Sequence, residues 1–248
     1  MNSFYKLNGS KYEINHHFFE LIDNEIKAYL LGFYVADGTI NEKRKMFRVN
    51  VSSIDSEIIN LFRKNIGPNC RIYRKAPYII KGRNGKKYVG HEQIALDINS
   101  SVLVKTLVSL GYGYKKSWEN LSLPKLNDNL LISFIRGYFD GDGCVSVWNC
   151  IEKGKKDRLR CTISFVSKKE NILIEIKDFL QKYNICFNKQ YLKRDDMYKI
   201  STSSKENIKK FHETVYKNST YFLLRKKEKL ENYVNTEILH KTNEDCNA

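Results

Sequence analysis

Two nonamers constrain this chain more than any other feature: LLGFYVADG at residues 30–38 and IRGYFDGDG at residues 135–143. They match at a glycine, two aromatics, a small residue and a terminal Asp-Gly. The segments C-terminal to the two copies also correspond: an alternating strand, a short helical run, more strand and a second helix. A duplicated unit of this size predicts two similar halves packed on each other. The apolar runs Ile26–Val35 and Leu130–Phe139 read as helices. Gly32 and Ala36 in the first, and Gly137 and Gly141 in the second, lie one helical turn apart and give each helix a stripe of small residues. Two such stripes permit close backbone packing, which would set Asp37 and Asp142 side by side at the helix C-termini.

That placement has a chemical consequence. Two like charges would meet two negative helix ends, an unfavourable arrangement unless a cation lies between them. Oxygen ligands of this hardness favour Mg²⁺ over zinc. A carboxylate pair beside basic strands suits phosphodiester hydrolysis, in which metal activates a water and stabilises the leaving oxygen. The competing reading of a single Asp-Gly is a helix stop, and a purely structural interface remains the competing reading of the pair.

The rest of the chain supports two halves of mixed α and β structure. Phe47, Val49 and Val51 alternate with Arg48, Asn50 and Ser52, a strand with a polar outer face. Ser53 or Asp55 opens a helix that Gly67-Pro68 ends. Strands near 70–75 and 86–98 come next, with the basic tip KGRNGKK between them, and then a helix over 101–110. In the second half, Leu159, Cys161, Ile163 and Phe165 alternate with Arg158, Arg160, Thr162 and Ser164. A helix over 168–182, strands near 186–193 and 197–202, a helix over 204–217 and a charged helix over 222–234 complete it, with a frayed polar tail from Thr236. The division is 1–115, a linker over 116–128, and 129–248. The interval from Asp142 to Ser167 exceeds that from Asp37 to Ser53, which predicts a longer first hairpin in the second half and an asymmetric reach.

Charge narrows the partner. The chain has 43 Lys+Arg against 28 Asp+Glu, a net +15, which suits a polyanion, with simple solubility as the alternative. No apolar run is long enough for a membrane span and no leader is evident, so the expected setting is intracellular with no membrane partner. The six cysteines include no C-x-x-C pair, which argues against structural zinc. His16-His17 read as surface or capping residues, and Trp118 and Trp148 as packing residues.

LLGFYVADG and IRGYFDGDG, the segments KKSWENLSLP and YFLLRKKEKLE, and KYEINHHFFELID ahead of the first motif together resemble the LAGLIDADG homing endonucleases in their single-chain, two-motif form. The first motif departs at Val35, where many members carry an acid. The resemblance implies an α+β fold of two pseudo-symmetric αββαββα repeats, with antiparallel sheets forming a saddle around a two-helix interface. It implies a monomer that cuts both strands of a long, asymmetric double-stranded DNA site, in association with an intron or intein or as a free-standing gene. Carried over by position, Asp37 and Asp142 would bind Mg²⁺ (or Mn²⁺ or Ca²⁺), with Ala36 and Gly141 counted in the metal set. Lys116 and Lys226 would assist at the scissile phosphates.

Outward-facing strand residues are the expected readers: Arg48, Asn50, Ser52, Arg74, Arg158, Arg160, Thr162, Lys189 and Lys193, because Arg can address guanine and Asn adenine. In strands 70–75 and 187–193 the alternation is poor, and a one-residue slip there would reverse the faces. Arg83 and Lys86 at the first basic tip are expected to meet phosphates. The alternative function is a non-cleaving nucleic-acid-binding module of the same fold, either an RNA-splicing maturase whose partner is intron RNA or a DNA-binding regulator.

Overall fold

In the computed structural model, residues 3–7, 11–81, 85–113, 121–151 and 158–245 are described. Helix α1 (Glu25–Asp37) starts at Asn24, whose side chain accepts the Lys27 N–H at 3.1 Å. Its counterpart α4 (Asp128–Asp142) starts at Asn127, which accepts the Leu130 N–H at 3.0 Å. Each ends in a glycine with extended backbone, φ −80° at both Gly38 and Gly143. These are therefore not left-handed caps. A Cβ on Gly38 would fall 2.0 Å from the Tyr34 ring and one on Gly143 2.3 Å from the Phe139 ring, so close approach by an aromatic requires glycine in both copies.

The two helices pack backbone to backbone. A Cβ on Gly32 would lie 2.0 Å from the Phe134 carbonyl oxygen, and one on Gly137 2.0 Å from that of Tyr29. Nearer the C-termini, a Cβ on Gly141 would fall 2.4 Å from the Ala36 Cβ. The small-residue stripes thus do what their spacing predicts.

Each motif helix leads directly into a four-stranded antiparallel sheet. In the first half, β1 (Gly38–Asn41) and β2 (Met46–Ser52) are followed by α2 (Ser56–Ile66), β3 (Ile72–Lys75), a ribbon of β4 (Ile79–Lys81) and β5 (Lys87–Val89), β6 (Gln93–Asn99) and α3 (Ser101–Ser109). The second half repeats the order with β7 (Gly143–Cys150), β8 (Arg158–Ser167), α5 (Glu170–Gln181), β9 (Asn188–Leu192), β10 (Met197–Thr202) and α6 (Lys205–Phe211), which runs into a π-helical turn, His212–Tyr216. The sheet orders β1-β2-β6-β3 and β7-β8-β10-β9 are equivalent. A final helix, α7 (Leu224–Asp245), continues past Thr236, where the sequence suggested fraying.

One face of each sheet builds the core. Phe47, Val49, Val51, Ile94, Leu96 and Ile98 are buried from the first sheet, and Cys161, Ile163, Phe165 and Ile200 from the second. The opposite face stays polar. His16, read from sequence as superficial, is buried, and its Nδ1 lies 2.7 Å from Ser100 Oγ at the start of α3.

Candidate active site and nucleic-acid face

Asp37 and Asp142 end α1 and α4 at the point where the helices touch; an added Cβ on Gly141 would come within 3.3 Å of Asp37 Oδ2. Asp142 is half-buried, while Asp37 keeps an outer edge open to solvent. Burial, and then the nearby Asp37 charge, pushes the Asp142 carboxyl up to about 7, partly offset by Lys226. Protein crowded around Asp37 raises its carboxyl as well; Lys226 and Arg225 oppose that shift and Asp55 adds to it. Such mutual discomfort is what a shared cation would relieve. Among the described residues no group of three or more His, Cys, Asp or Glu converges as a cage. The pair instead fits a hard divalent ion that takes one or two carboxylates and completes its shell with water and phosphate oxygens.

Lys226, from α7, is buried beside the pair. Its ammonium donates to the carbonyl oxygens of Phe139 (2.7 Å), Asp140 (2.7 Å) and Gly143 (2.6 Å), with that of Gly141 at 3.4 Å. It therefore closes the C-terminus of α4 and neutralises the negative end of the helix. Burial lowers its pKa to about 8, and the Asp140 charge is the main opposing influence. Lys116 lies outside the described residues.

Sequence reasoning passed over the polar assembly behind Lys226. Asp140 is fully buried; Tyr29 donates to it at 2.8 Å, Tyr216 at 2.5 Å and the Leu223 N–H at 2.7 Å. Arg136, also buried, donates to Glu25 at 2.5 Å and to the carbonyls of Val215 and Tyr221 at 2.8 and 2.7 Å. Arg225 forks onto Asp55 at 2.6 and 2.9 Å, drawing the start of α7 to α2 of the first half. The signal was present: Arg136 and Asp140 stand one turn apart inside an apolar run, where a charge must be paired if it is to be buried.

The outer faces of the sheets hold most of the expected readers. Arg158, Arg160 and Thr162 lie opposite Cys150, Trp148 and Ser146, away from the core. Arg48 and Asn50 are likewise outward and exposed, although Arg48 is forked onto Asp97 with both contacts at 2.6 Å. Ser52 shares that face, but its Oγ is buried with no partner among the described residues. Lys86 is exposed, Lys193 is exposed in the turn after β9, and Arg83 lies outside the described residues.

Two expected readers face the other way. Arg74 is opposite Ile94, and Lys189 opposite Ile200, so both share the core side of their sheets. There Arg74 pairs with Glu92 at 2.8 Å and Lys189 with Glu170 at 2.5 Å. The poor alternation of the edge strands concealed a one-residue shift, which places Tyr73, Lys75, Asn188 and Gln190 on the reading face instead. Trp148, expected to pack, is 46% exposed on that face; Trp118 lies outside the described residues.

Duplicated helices that touch through small residues, paired terminal carboxylates and twin antiparallel sheets define the class. A family model described as LAGLIDADG-like domain matches residues 24–109 and 129–216, and the chain belongs to that family. It is similar to an uncharacterized protein of Methanocaldococcus jannaschii, MJ0314, at 23% identity over 71% of this chain, and spans 60% of that relative's length. Among solved structures it resembles the I-LtrWI LAGLIDADG homing endonuclease bound to target DNA, with TM-score 0.55 and 12% identity over 90% of this chain and 92% of the other. It also resembles the I-SmaMI LAGLIDADG homing endonuclease bound to cleaved DNA, with TM-score 0.55 and 12% identity over 89% and 91% of the two chains. At such identities the likeness speaks for the fold. Among the described residues, no helix is long and apolar enough to cross a membrane.

Proposed function

We propose that this chain is a site-specific double-stranded DNA endonuclease that acts as a pseudo-symmetric monomer, with residues 1–115 and 129–248 each addressing one half of an asymmetric site. The observation that carries the reading is the carboxylate pair at touching helix ends, with Asp142 pushed up to about 7. A pure binder of a polyanion gains nothing from two acids at its centre. The binding of target DNA by the fold neighbours points the same way.

Asp37 and Asp142 would hold Mg²⁺, with the backbone at Ala36 and Gly141 keeping the two acids adjacent. The ion, once bound, would activate a water and stabilise the leaving oxygen of the phosphodiester. Each carboxylate, when ionised, also accepts a hydrogen bond from water at that centre and orients it for in-line attack. Lys226 acts on this centre through α4: its protons are committed to carbonyl oxygens, so it positions Asp142 and offsets local negative charge. Arg158, Arg160 and Asn50 would read base edges, while Lys86 and Lys193 would neutralise phosphates.

The test is cleavage of a randomised duplex library with Mg²⁺ by the wild type, Asp37→Asn and Asp142→Asn. The expected result is one long enriched cut site for the wild type, with cutting by either variant reduced on the order of 10²–10³-fold and binding retained. Undiminished cutting by both variants would overturn the site assignment. Defined binding of DNA or intron RNA by a wild type that never cuts would make the chain a binding module.

A further inference from the structure

Residues 220–226 run between the two halves and bond to each in turn. The Thr220 N–H bonds Glu25 of α1 at 3.0 Å, and the Tyr221 carbonyl accepts from Arg136 of α4. The Leu223 N–H bonds Asp140 of α4. The chain then returns to the first half, where the Leu224 N–H bonds Glu57 of α2 at 2.8 Å and Arg225 forks onto Asp55. Lys226 goes back to the carbonyl oxygens at the end of α4. The segment is a strap stitched alternately to both halves, and a charged group takes part in every stitch, which makes each stronger than a bond between two amides.

The strap lies where the halves most need bracing. Among the described residues, the α1–α4 seam is the principal contact between them. A single helix pair defines a line, and rotation of two bodies about a line is opposed only by contacts set off from it. Asp55 and Glu57 are such contacts, because they stand at the start of α2 and not on α1. Asp55 also follows closely on β2, the strand that carries Arg48 and Asn50 outward, so the strap grips the first reading sheet near its edge with α2.

We infer that the strap sets the spacing between DNA half-sites that this chain accepts, with Asp55 and Glu57 as positioning residues that hold the first sheet at one angle to the second. The inference rests on the DNA-binding reading above and adds a spacing rule to it. One extra base pair between half-sites shifts one from the other by about 3.4 Å and turns it by about 35°. Sheets held at one angle can address one such displacement only, whereas sheets free to rock about the α1–α4 seam can follow others.

The experiment uses the full chain and the duplex recovered from the library, together with versions that carry one base pair more or one fewer at the centre of the site. Affinity is measured without divalent metal for the wild type, Glu57→Ala and Asp55→Ala/Glu57→Ala. Asp55 also bears on the Asp37 charge, so the readout is the ratio of affinities across spacings within one protein, in which an effect on the centre cancels. A thermal melt checks each fold, and Glu57→Ala, which removes the Leu224 stitch alone, carries the test if the double variant does not fold. We expect the wild type to prefer its own spacing on the order of 10²-fold. Each lost stitch should narrow that preference about tenfold, the worth of one bond to a charged group. Folded variants that keep the wild-type preference overturn the strap assignment, and so does a loss of affinity in equal proportion at every spacing. A wild type that binds the duplex equally well at all three spacings overturns it too, leaving the DNA-binding reading intact. A wild type that binds no duplex at all overturns both.

Discussion

The two copies of the motif hold the same backbone in place by different means. In the first, Leu31 and Val35 are buried among apolar neighbours. At the matching positions of the second stand Arg136 and Asp140, equally buried but tied to Tyr29, Tyr216, Glu25 and the chain leading into α7. Burial pushes Asp140 up to about 6, with Lys226 the chief opposing influence. Apolar packing is non-directional and tolerates many seats; a fully satisfied polar network admits one. The difference teaches that α1 needs only a core, whereas α4 fixes the seat of a helix that crosses to the first half through Arg225 and Asp55.

Substitutions at the matching positions are the sharpest way to break this comparison. Asp140→Ala leaves two tyrosine hydroxyls and a backbone N–H without their acceptor and removes the carboxylate charge that favours the buried Lys226 ammonium, and should cost about 3–5 kcal/mol. Val35→Ala should cost about 2 kcal/mol, a cavity effect alone. Denaturant melts measure both, and equal losses would remove the distinction between a polar and an apolar anchor. Gly32→Ala and Gly137→Ala probe what the copies share: each drives a Cβ into the backbone of the facing helix, and each should cost about 3 kcal/mol, the upper end for overpacking. A large inequality between them would mean that the crossing is not symmetric.

A smaller effect separates the two carboxylates. Asp142 rises from the usual 3.8 to about 7 in the fold, so its protonated form is the one favoured by folding. Its contribution is complete at acid pH and is lost as pH climbs toward 7. Metal-free thermal melts should therefore show stability falling between about pH 4 and 7, and Asp142→Asn should flatten that slope more than Asp37→Asn, whose carboxyl is more open to water. On the proposed reading, in which Mg²⁺ is held by the ionised pair, the ion should reverse the trend and raise the melting temperature more at pH 8 than at pH 6. Least of all, Arg74→Ala and Lys189→Ala should leave affinity for the selected duplex unchanged, whereas Arg160→Ala should weaken it about tenfold. A matching loss at Arg74 or Lys189 would return the edge strands to the opposite register.

Local spacing was enough to read the duplication, the helix contact and the adjacency of Asp37 and Asp142: small residues one turn apart, alternation in β2 and β8, and an acid at a fixed offset. The αββαββα order came instead from the resemblance of the two motifs to a known family. Spacing also foretold the unequal hairpins, since β7 and β8 span 8 and 10 residues against 4 and 7 for β1 and β2. Tertiary structure alone decided which faces β3 and β9 present, because edge-strand register is set by the neighbouring strand and not by a strand's own weak alternation. It also decided that Trp148 lies in the open and that Lys226 is spent on carbonyl oxygens. The anchor of the second motif was beyond local reading for the same reason: Tyr29 and Asp140 meet across 111 positions and Asp55 and Arg225 across 170, and no short-range pattern encodes which distant partner satisfies a buried charge.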